Sequence, residues 1–404
     1  MKFAHLADCH IGGWKDIQLK ELSIIAFENA VDTCIKENVA FVLIAGDLFN
    51  TSLPNIELIK RTAEILSRLK ENEIEAYIIP GSHDFSPSGK TMIDVLEHAG
   101  LMINVMKIKD NKLTFTYDKT GVKIAGLVGL RNSLDKHYYE SLDFSNLENE
   151  DGFKIFMLHN TINELKPKDM EKVEGMNLSL LPKNFDYYAA GHVHFIKEIA
   201  FGRGKLVYPG PLFPNNFKEL EDLKHGGFYI YDNGDLRHVP VKLKETAYIE
   251  INADGKSARE VEDEILSMEN FHGKILLLRV HGELKEGKSS DINFRTISEK
   301  FKDAFAFLKN TTKLTSIEFS RLDVKEGEIP DVESEIINEF GIVDYDKDFI
   351  TELMNALDKE KDEGERNIDF EGRLLKDIEK FLEKKRIVII LILFNGNENI
   401  FYPC

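Results

Sequence analysis

Again and again in the first 194 residues, an apolar run with strand character ends directly on a histidine, an aspartate or a short polar residue. The segments are Asp8-Cys9-His10, Gly46-Asp47, Gly81-Ser82-His83-Asp84, Leu158-His159-Asn160 and Gly191-His192-Val193-His194. Residues 3–7, 40–45 and 76–80 read as buried strands, and apolar residues at three- and four-residue steps over 19–35 and 57–69 predict helices between them. Parallel strands need crossovers of this length. In such an open sheet, polar residues at the strand ends gather along the carboxyl edge, where ligands bind. From about 102 to 240 the helical periods thin out, and short strands with Gly and Asn turns dominate, at 122–126, 154–158, 185–190, 206–208 and 227–231. An α/β half followed by a β-rich half predicts a four-layer α/β/β/α sandwich.

The chemistry follows from the residue types. Side chains two apart on an extended segment point the same way. Asp8 with His10, and His192 with His194, are therefore expected to grip one site each, while Cys9 and Val193 turn away. Five of the 12 histidines (His10, His83, His159, His192, His194), combined with Asp8 and Asp47, make a mixed imidazole and carboxylate set. That set suits Mn²⁺, Fe or Zn²⁺ better than Ca²⁺ or an all-oxygen Mg²⁺ cage. There are too many ligands for one tetrahedral ion. Two ions ~3.5–4 Å apart, bridged by a carboxylate, account for them, and such a pair generates hydroxide near neutral pH and clamps a phosphoryl group. Any one of these short motifs alone is an ordinary turn or hydrogen-bonded feature; their conjunction carries the reading.

At 404 residues the chain is expected to hold two or three domains. A β-strand and helix alternation from 244 to 322 predicts a small α+β module with strands at 248–252, 274–280 and 314–319. Residues 323–404 open with an acidic linker and then show amphipathic helical patterns, Phe349, Ile350, Leu353, Met354 and Leu357 on one face and Leu374, Leu375, Ile378, Phe381 and Leu382 on another. Net charge, −18, would count against a polyanionic partner. Its distribution weakens that objection, since residues 323–404 alone carry 11 basic against 22 acidic side chains, or −11. Three cysteines at unrelated spacings exclude a disulfide framework and a paired-cysteine zinc site, and suggest free thiols in a cytoplasmic protein. The longest apolar run, 387–394, would span ~12 Å as a helix against ~30 Å of hydrocarbon, so no membrane segment is expected.

Taken in order and spacing, these segments resemble the five-part signature of the calcineurin-like metallophosphoesterases. Within that family the chain is most similar to the double-strand-break repair nucleases of the meiotic-recombination-eleven and SbcD type. The resemblance rests on the residues 3–12, 45–49, 80–84, 187–194 and 208–211 and extends to about residue 320. It implies a nuclease domain over 1–243, a capping domain over 244–322, and a tail over 323–404 that grips an SMC-like coiled-coil ATPase of the radiation-sensitive-fifty or SbcC type. It further implies two Mn²⁺ per chain, with Mg²⁺ or other divalent ions as alternatives: one held by Asp8, His10 and His194, the second by His159 and His192, with Asp47 bridging. His83 would be catalytic, stabilising the transition state or protonating the leaving oxygen, with Asp84 fixing its tautomer.

The chain departs from that family in two places. Ser82 stands where the pattern has a ligating Asn, and Asn50 stands where the nuclease branch often has His. The implied activity is Mn²⁺-dependent cleavage of DNA, as 3′–5′ exonuclease and single-strand endonuclease. A homodimer is implied through helices near 55–71 and 90–100, with Ile59, Ile65 and Leu69 or Met92, Leu96 and Leu101 as its apolar face. The alternatives are a phosphoesterase acting on small phosphodiesters or phosphoproteins, and a catalytically weak structural subunit of a repair complex.

Overall fold

The computed structural model describes residues 1–85, 91–130, 135–167, 170, 173–317 and 376. The chain divides into Met1–Ile317 and Glu318–Cys404. The expected amphipathic helices of the tail and the apolar run 387–394 lie outside the described residues.

Strand β1 (Lys2–Leu6) is followed by α1 (Ile17–Lys36), β2 (Phe41–Ala45), α2 (Ile56–Glu71), β3 (Glu75–Ile79), α3 (Met92–His98) and β4 (Ile103–Asn104). A small hairpin, β5 (Ile108–Lys109) and β6 (Lys112–Leu113), leads to β7 (Thr116–Tyr117) and β8 (Lys123–Gly126). Helices α4 (Lys136–Ser141) and α5 (Ser145–Glu148) come before β9 (Lys154–His159), and β10 (Tyr187–Gly191), β11 (Ile196–Phe201) and β12 (Gly204–Pro209) follow. Helix α6 (Phe217–Leu223) then gives way to β13 (Gly226–Asp232) and β14 (Asp235–Val241), and the last pieces are β15 (Thr246–Asn252), α7 (Ala258–Leu266), β16 (Ile275–Leu284), α8 (Phe294–Lys300) and β17 (Ala306–Ser316).

Two six-stranded sheets result, in the orders β14-β13-β1-β2-β3-β4 and β11-β12-β10-β9-β8-β7. Strands β1, β2 and β3 pair in parallel, as do β8, β9 and β10. Being buried on both faces, they read as near-continuous apolar runs. Phe3, Phe41, Leu43 and Tyr77 of one sheet meet Ile155, Met157, Tyr187 and Ala189 of the other in a shared inner core. Helices α1, α2 and α3 cover the outside of the first sheet, while α4 and α5 cover the second. The α/β/β/α sandwich expected from the sequence is the architecture of this part of the chain.

The parallel sheet β15-β16-β17 packs one face against α7 and α8 through Val261, Ile265, Leu276, Leu278 and Ile297. Its other face, with Ile275, Leu277 and Ala306, joins the core that also holds Leu220 of α6. The third strand begins at Ala306 rather than 314, because its first residues cover an edge with Lys309, Asn310 and Thr311 and break the apolar run that marks a strand. Of the side chains proposed for a dimer face, Ile65, Leu69 and Leu96 are buried against the first sheet, and Ile59, Met92 and Leu101 are half-buried. Ile65, Leu69, Leu96, Met92 and Leu101 belong to the core of the first sheet, and among the described residues the exposed apolar side chains nearby are Leu53, Ile56 and Val95.

Candidate metal centre

The carboxyl ends of β1, β2 and β3 meet those of β9 and β10 at one seam between the two sheets. Parallel pairing within each sheet aligns these ends, and the shared inner core brings the two edges together. The seam is held by backbone: the Asp8 amide donates to the Gly46 carbonyl and the His10 amide to the Asp47 carbonyl, at 3.2 and 3.0 Å. Across the sheets the His192 amide donates to both Asp8 carboxylate oxygens at 3.0 Å.

Three overlapping groups form there: Asp8 with His10 and His194, His10 with Asp47 and His83, and Asp47 with His159 and His192. Nε2 of His159 lies 3.1 Å from Asp47 Oδ2 and 3.9 Å from Asp8 Oδ1. Nε2 of His194 lies 3.6 Å from Asp8 Oδ1, and Nε2 of His10 lies 3.7 Å from Asp47 Oδ2. The Ser82 hydroxyl stands 3.5 Å from Asp47 Oδ2.

The local backbone is not extended as the Asp-x-His and His-x-His spacings suggested. Asp8, His10, Asp47 and His194 have φ of 49°, 42°, 50° and 50°, and His192 has 97°. For non-glycine residues this left-handed region is strained, and its concentration at one site marks function. Convergence therefore comes from tight left-handed turns at the strand ends. Cys9 and Val193 do turn away, each into the core on the outer face of its own sheet. Glycine opens the remaining space: a Cβ at Gly46 would stand 2.1 Å from His159 Nδ1, and one at Gly81 would stand 2.2 Å from Asp47 Oδ1.

Tautomers follow from fixed acceptors. A backbone carbonyl only accepts, so His159 Nδ1 donates to the Ala45 carbonyl at 2.8 Å, leaving the Nε2 lone pair for a cation. His194 Nδ1 donates to Glu219 Oε1 at 2.8 Å, an arrangement that makes a histidine a better metal ligand. His83 Nδ1 donates to the Asn50 carbonyl at 2.8 Å. Asp84 does not perform the tautomer-fixing role expected of it. Its carboxylate accepts from the amides of Gly81, Leu48 and Phe49 at 2.8, 3.3 and 3.1 Å, tying the β3 loop to the β2 loop. Burial and then Asp47 push that carboxyl up to about 7. Because His83 leans on a main-chain atom, its support does not depend on which side chain stands at position 50.

The electrostatics fit a bound cation. Burial opposes charge on Asp47, but the imidazoles of His159, His10 and His83 outweigh it and hold its carboxyl well below the usual range. Burial also opposes charge on His159, and Asp47 overcomes it, lifting the imidazole to about 9. His194 rises for the same kind of reason, with Asp8 and Glu219 overcoming its burial. Burial brings His10 and His192 down to about 4, helped by the imidazoles of His194 and His159 respectively. Two buried carboxylates thus call for positive charge that, without metal, only ring protons supply. Two further observations point the same way. Among the described residues, Nε2 of His159 is buried without an aligned hydrogen-bond partner. Nε2 of His10 faces Nε2 of His194 at 2.9 Å, about the separation of two ligands on one ion at ~2.1 Å bonds and a right angle.

The family model for calcineurin-like phosphoesterases matches residues 1–195, a span that includes all five loops. This chain carries a calcineurin-like phosphoesterase domain. Among its relatives, the DNA double-strand break repair protein Mre11 of Archaeoglobus fulgidus is 26% identical over 393 residues, covering 90% of this chain and 82% of that one. Mre11 of Methanocaldococcus jannaschii is 27% identical over 381 residues, covering 88% of this chain and 94% of that one. Mre11 of Sulfolobus acidocaldarius is 25% identical over 381 residues, covering 89% and 96%. A calcineurin-like phosphoesterase domain makes the chain a metal-dependent phosphoesterase and implies a dimetal centre, for which these imidazole and carboxylate groups are the candidate ligands.

Three supports of the site are illegible in the sequence read alone. Glu219 sits in the first turn of α6, near Asn216, whose side chain caps the helix by accepting from the Glu219 amide. That Asn-x-x-Glu pattern is a helix-start signature and would have located the helix, though not its histidine partner. Asn215 donates through its side chain to the Asn50 side chain at 3.1 Å, and the Leu212 amide donates to the Asp8 carbonyl at 3.3 Å. A cleft of about 580 Å³ opens over the cluster, lined by Asp47, His83, His192 and His194 on one side and by Met170, Phe195 and Leu223 on the other. Among the described residues, no helix is long and apolar enough to cross a membrane.

Proposed function

We propose that this chain is a Mn²⁺-dependent DNA nuclease, with 3′–5′ exonuclease and single-strand endonuclease action, serving double-strand-break repair. The observation that carries this reading is the carboxylate of Asp47, which belongs both to the group with His10 and His83 and to the group with His159 and His192. A shared carboxylate between two imidazole sets suits two ions side by side, and the Mre11 relatives supply the substrate class. In this reading Asp8, His10 and His194 hold one ion, His159 and His192 hold the other with Ser82 beside them, and Asp47 bridges. Bound there, the ions would activate water and screen the phosphoryl oxygens. His83, whose Nδ1–H donates to the Asn50 carbonyl, presents Nε2 to the substrate and, with the ring doubly protonated, gives the Nε2 proton to the departing oxygen.

Residues 1–243 are read as the nuclease domain, 244–322 as its cap, and 323–404 as the segment that binds an SMC-like coiled-coil ATPase. Exposed Leu53, Ile56 and Val95 support a homodimer contact along α2 and α3. The test is cleavage of end-labelled duplex DNA and circular single-stranded DNA, with Mn²⁺ or with chelator, beside a chromogenic phosphodiester. Mn²⁺-dependent degradation of both DNAs supports the reading. Turnover of the small ester alone would assign the site to small phosphodiesters instead.

A further inference from the structure

Helix α6 has two sides with different duties. From its first turn Glu219 accepts from Nδ1 of His194 at 2.8 Å and from the Asn215 amide at 2.7 Å. Asn215 in turn reaches the Asn50 side chain, on the residue whose carbonyl holds His83. The other side of the helix is gripped by the third sheet. Arg279 on β16 makes a two-pronged ion pair with Glu221, Nε to Oε1 at 2.8 Å and one terminal nitrogen to Oε2 at 2.5 Å. The Tyr248 side chain on β15 hydrogen-bonds to the same carboxylate, and the Arg279 guanidinium lies 5.2 Å over the Phe217 ring.

This grip is unlike the surface ion pairs elsewhere on the molecule. The Arg279 and Glu221 side chains are only 15% and 20% exposed, and a forked arginine pair fixes orientation as well as distance. A helix of seven residues is too short to hold its pitch by its own hydrogen bonds, so its position comes from its contacts. Whatever sets the position of Glu221 sets that of Glu219 two residues away, and with it the ring of His194.

We propose that Arg279 is a positioning residue for the metal centre, acting through Glu221 and α6 on the Glu219–His194 pair. The third sheet then sets the geometry of the site without touching it, and a displacement of that sheet loosens His194. This rests on the reading that Asp8, His10, Asp47, His159, His192 and His194 hold divalent ions.

The experiment measures Mn²⁺ affinity by electron paramagnetic resonance titration of the full chain, alongside melting of the metal-free protein. Arg279→Met keeps the stem over Phe217 and removes the fork; it should weaken Mn²⁺ binding roughly 2- to 30-fold. Glu219→Ala should weaken it by about 10- to 100-fold, and adding Arg279→Met to Glu219→Ala should cost nothing more. Arg279→Glu combined with Glu221→Arg rebuilds the pair in reverse and should recover most of the affinity lost in Arg279→Glu alone. A role confined to stability would lower the melting temperature and leave the affinity of the folded protein alone. The proposal is overturned if Arg279→Met binds Mn²⁺ within twofold of the parent, or if its effect multiplies with that of Glu219→Ala. Asp47→Asn is the control on the underlying reading: if it too leaves Mn²⁺ binding intact, the metal centre itself is misassigned, whereas its loss of binding beside an unaffected Arg279→Met rejects only the relay.

Discussion

Gly46 offers a sharp test of how His159 is held. Its φ is +84°, and a Cβ there would stand 2.1 Å from Nδ1 of His159 and 2.5 Å from Cγ. Gly46→Ala therefore meets two penalties. The left-handed backbone costs an L-residue about 1–2 kcal/mol. The overlap with a fully buried ring, itself tied to the Ala45 carbonyl, adds about 1–3 kcal/mol of overpacking. The sum is about 2–5 kcal/mol, at roughly 2–4 °C of melting temperature per kcal/mol for a domain of this class. Gly202 separates the two effects. It also has positive φ, +58°, yet nothing lies within 4 Å of a Cβ built on it, so Gly202→Ala should cost only the backbone share, about 1–2 kcal/mol. Melting of both metal-free variants gives the difference. A Mn²⁺ titration should then show a loss of at least ~10-fold for Gly46→Ala and none for Gly202→Ala. If the two alanine variants melt together, or if Gly46→Ala binds Mn²⁺ like the parent, the packing of His159 against this glycine does not hold the site in shape.

Further outcomes follow from the same geometry. His83→Ala should retain Mn²⁺ affinity while losing ~10²–10⁴-fold in cleavage rate; a parental rate would remove His83 from the chemistry. Asp47→Asn should abolish binding of the second ion and weaken the first, read as metal per chain by elemental analysis, because this carboxylate serves both groups. His5 lies between the sheets, and burial pulls its imidazole down to about 3. Below about pH 6.5 the unfolded chain therefore takes up a proton that the folded chain refuses, so stability falls with pH down to about 3, by up to about 1.4 kcal/mol per pH unit. Denaturant melts of the chelated protein between pH 7 and 4 should show a shallower loss for His5→Leu than for the parent, and parallel curves would contradict the burial argument.

Much of this molecule was legible before any coordinates. Buried parallel strands announce themselves as apolar runs, and helices such as 56–71 as three- and four-residue periods, because each element must satisfy its own backbone and hide one face. The residues of the imidazole and carboxylate cluster were legible for a related reason: such groups placed directly after buried strands are costly there unless something binds them. Helices α4 and α6, six and seven residues long, show no apolar period of their own, and in α6 only the start signal at Asn216 and Glu219 marks a helix.

What the chain alone determined is the set of candidate ligands and the layers that carry them. Only the tertiary structure decided how those ligands are aimed. The left-handed turns at Asp8, Asp47 and His194, the carbonyls of Ala45 and Asn50 that fix the tautomers of His159 and His83 from 114 and 33 residues away, and the carboxylate of Glu219 behind His194 come from separate segments. No local pattern encodes such pairings, because a main-chain carbonyl has the same chemistry at every position and acquires a role only when packing brings one ring against it.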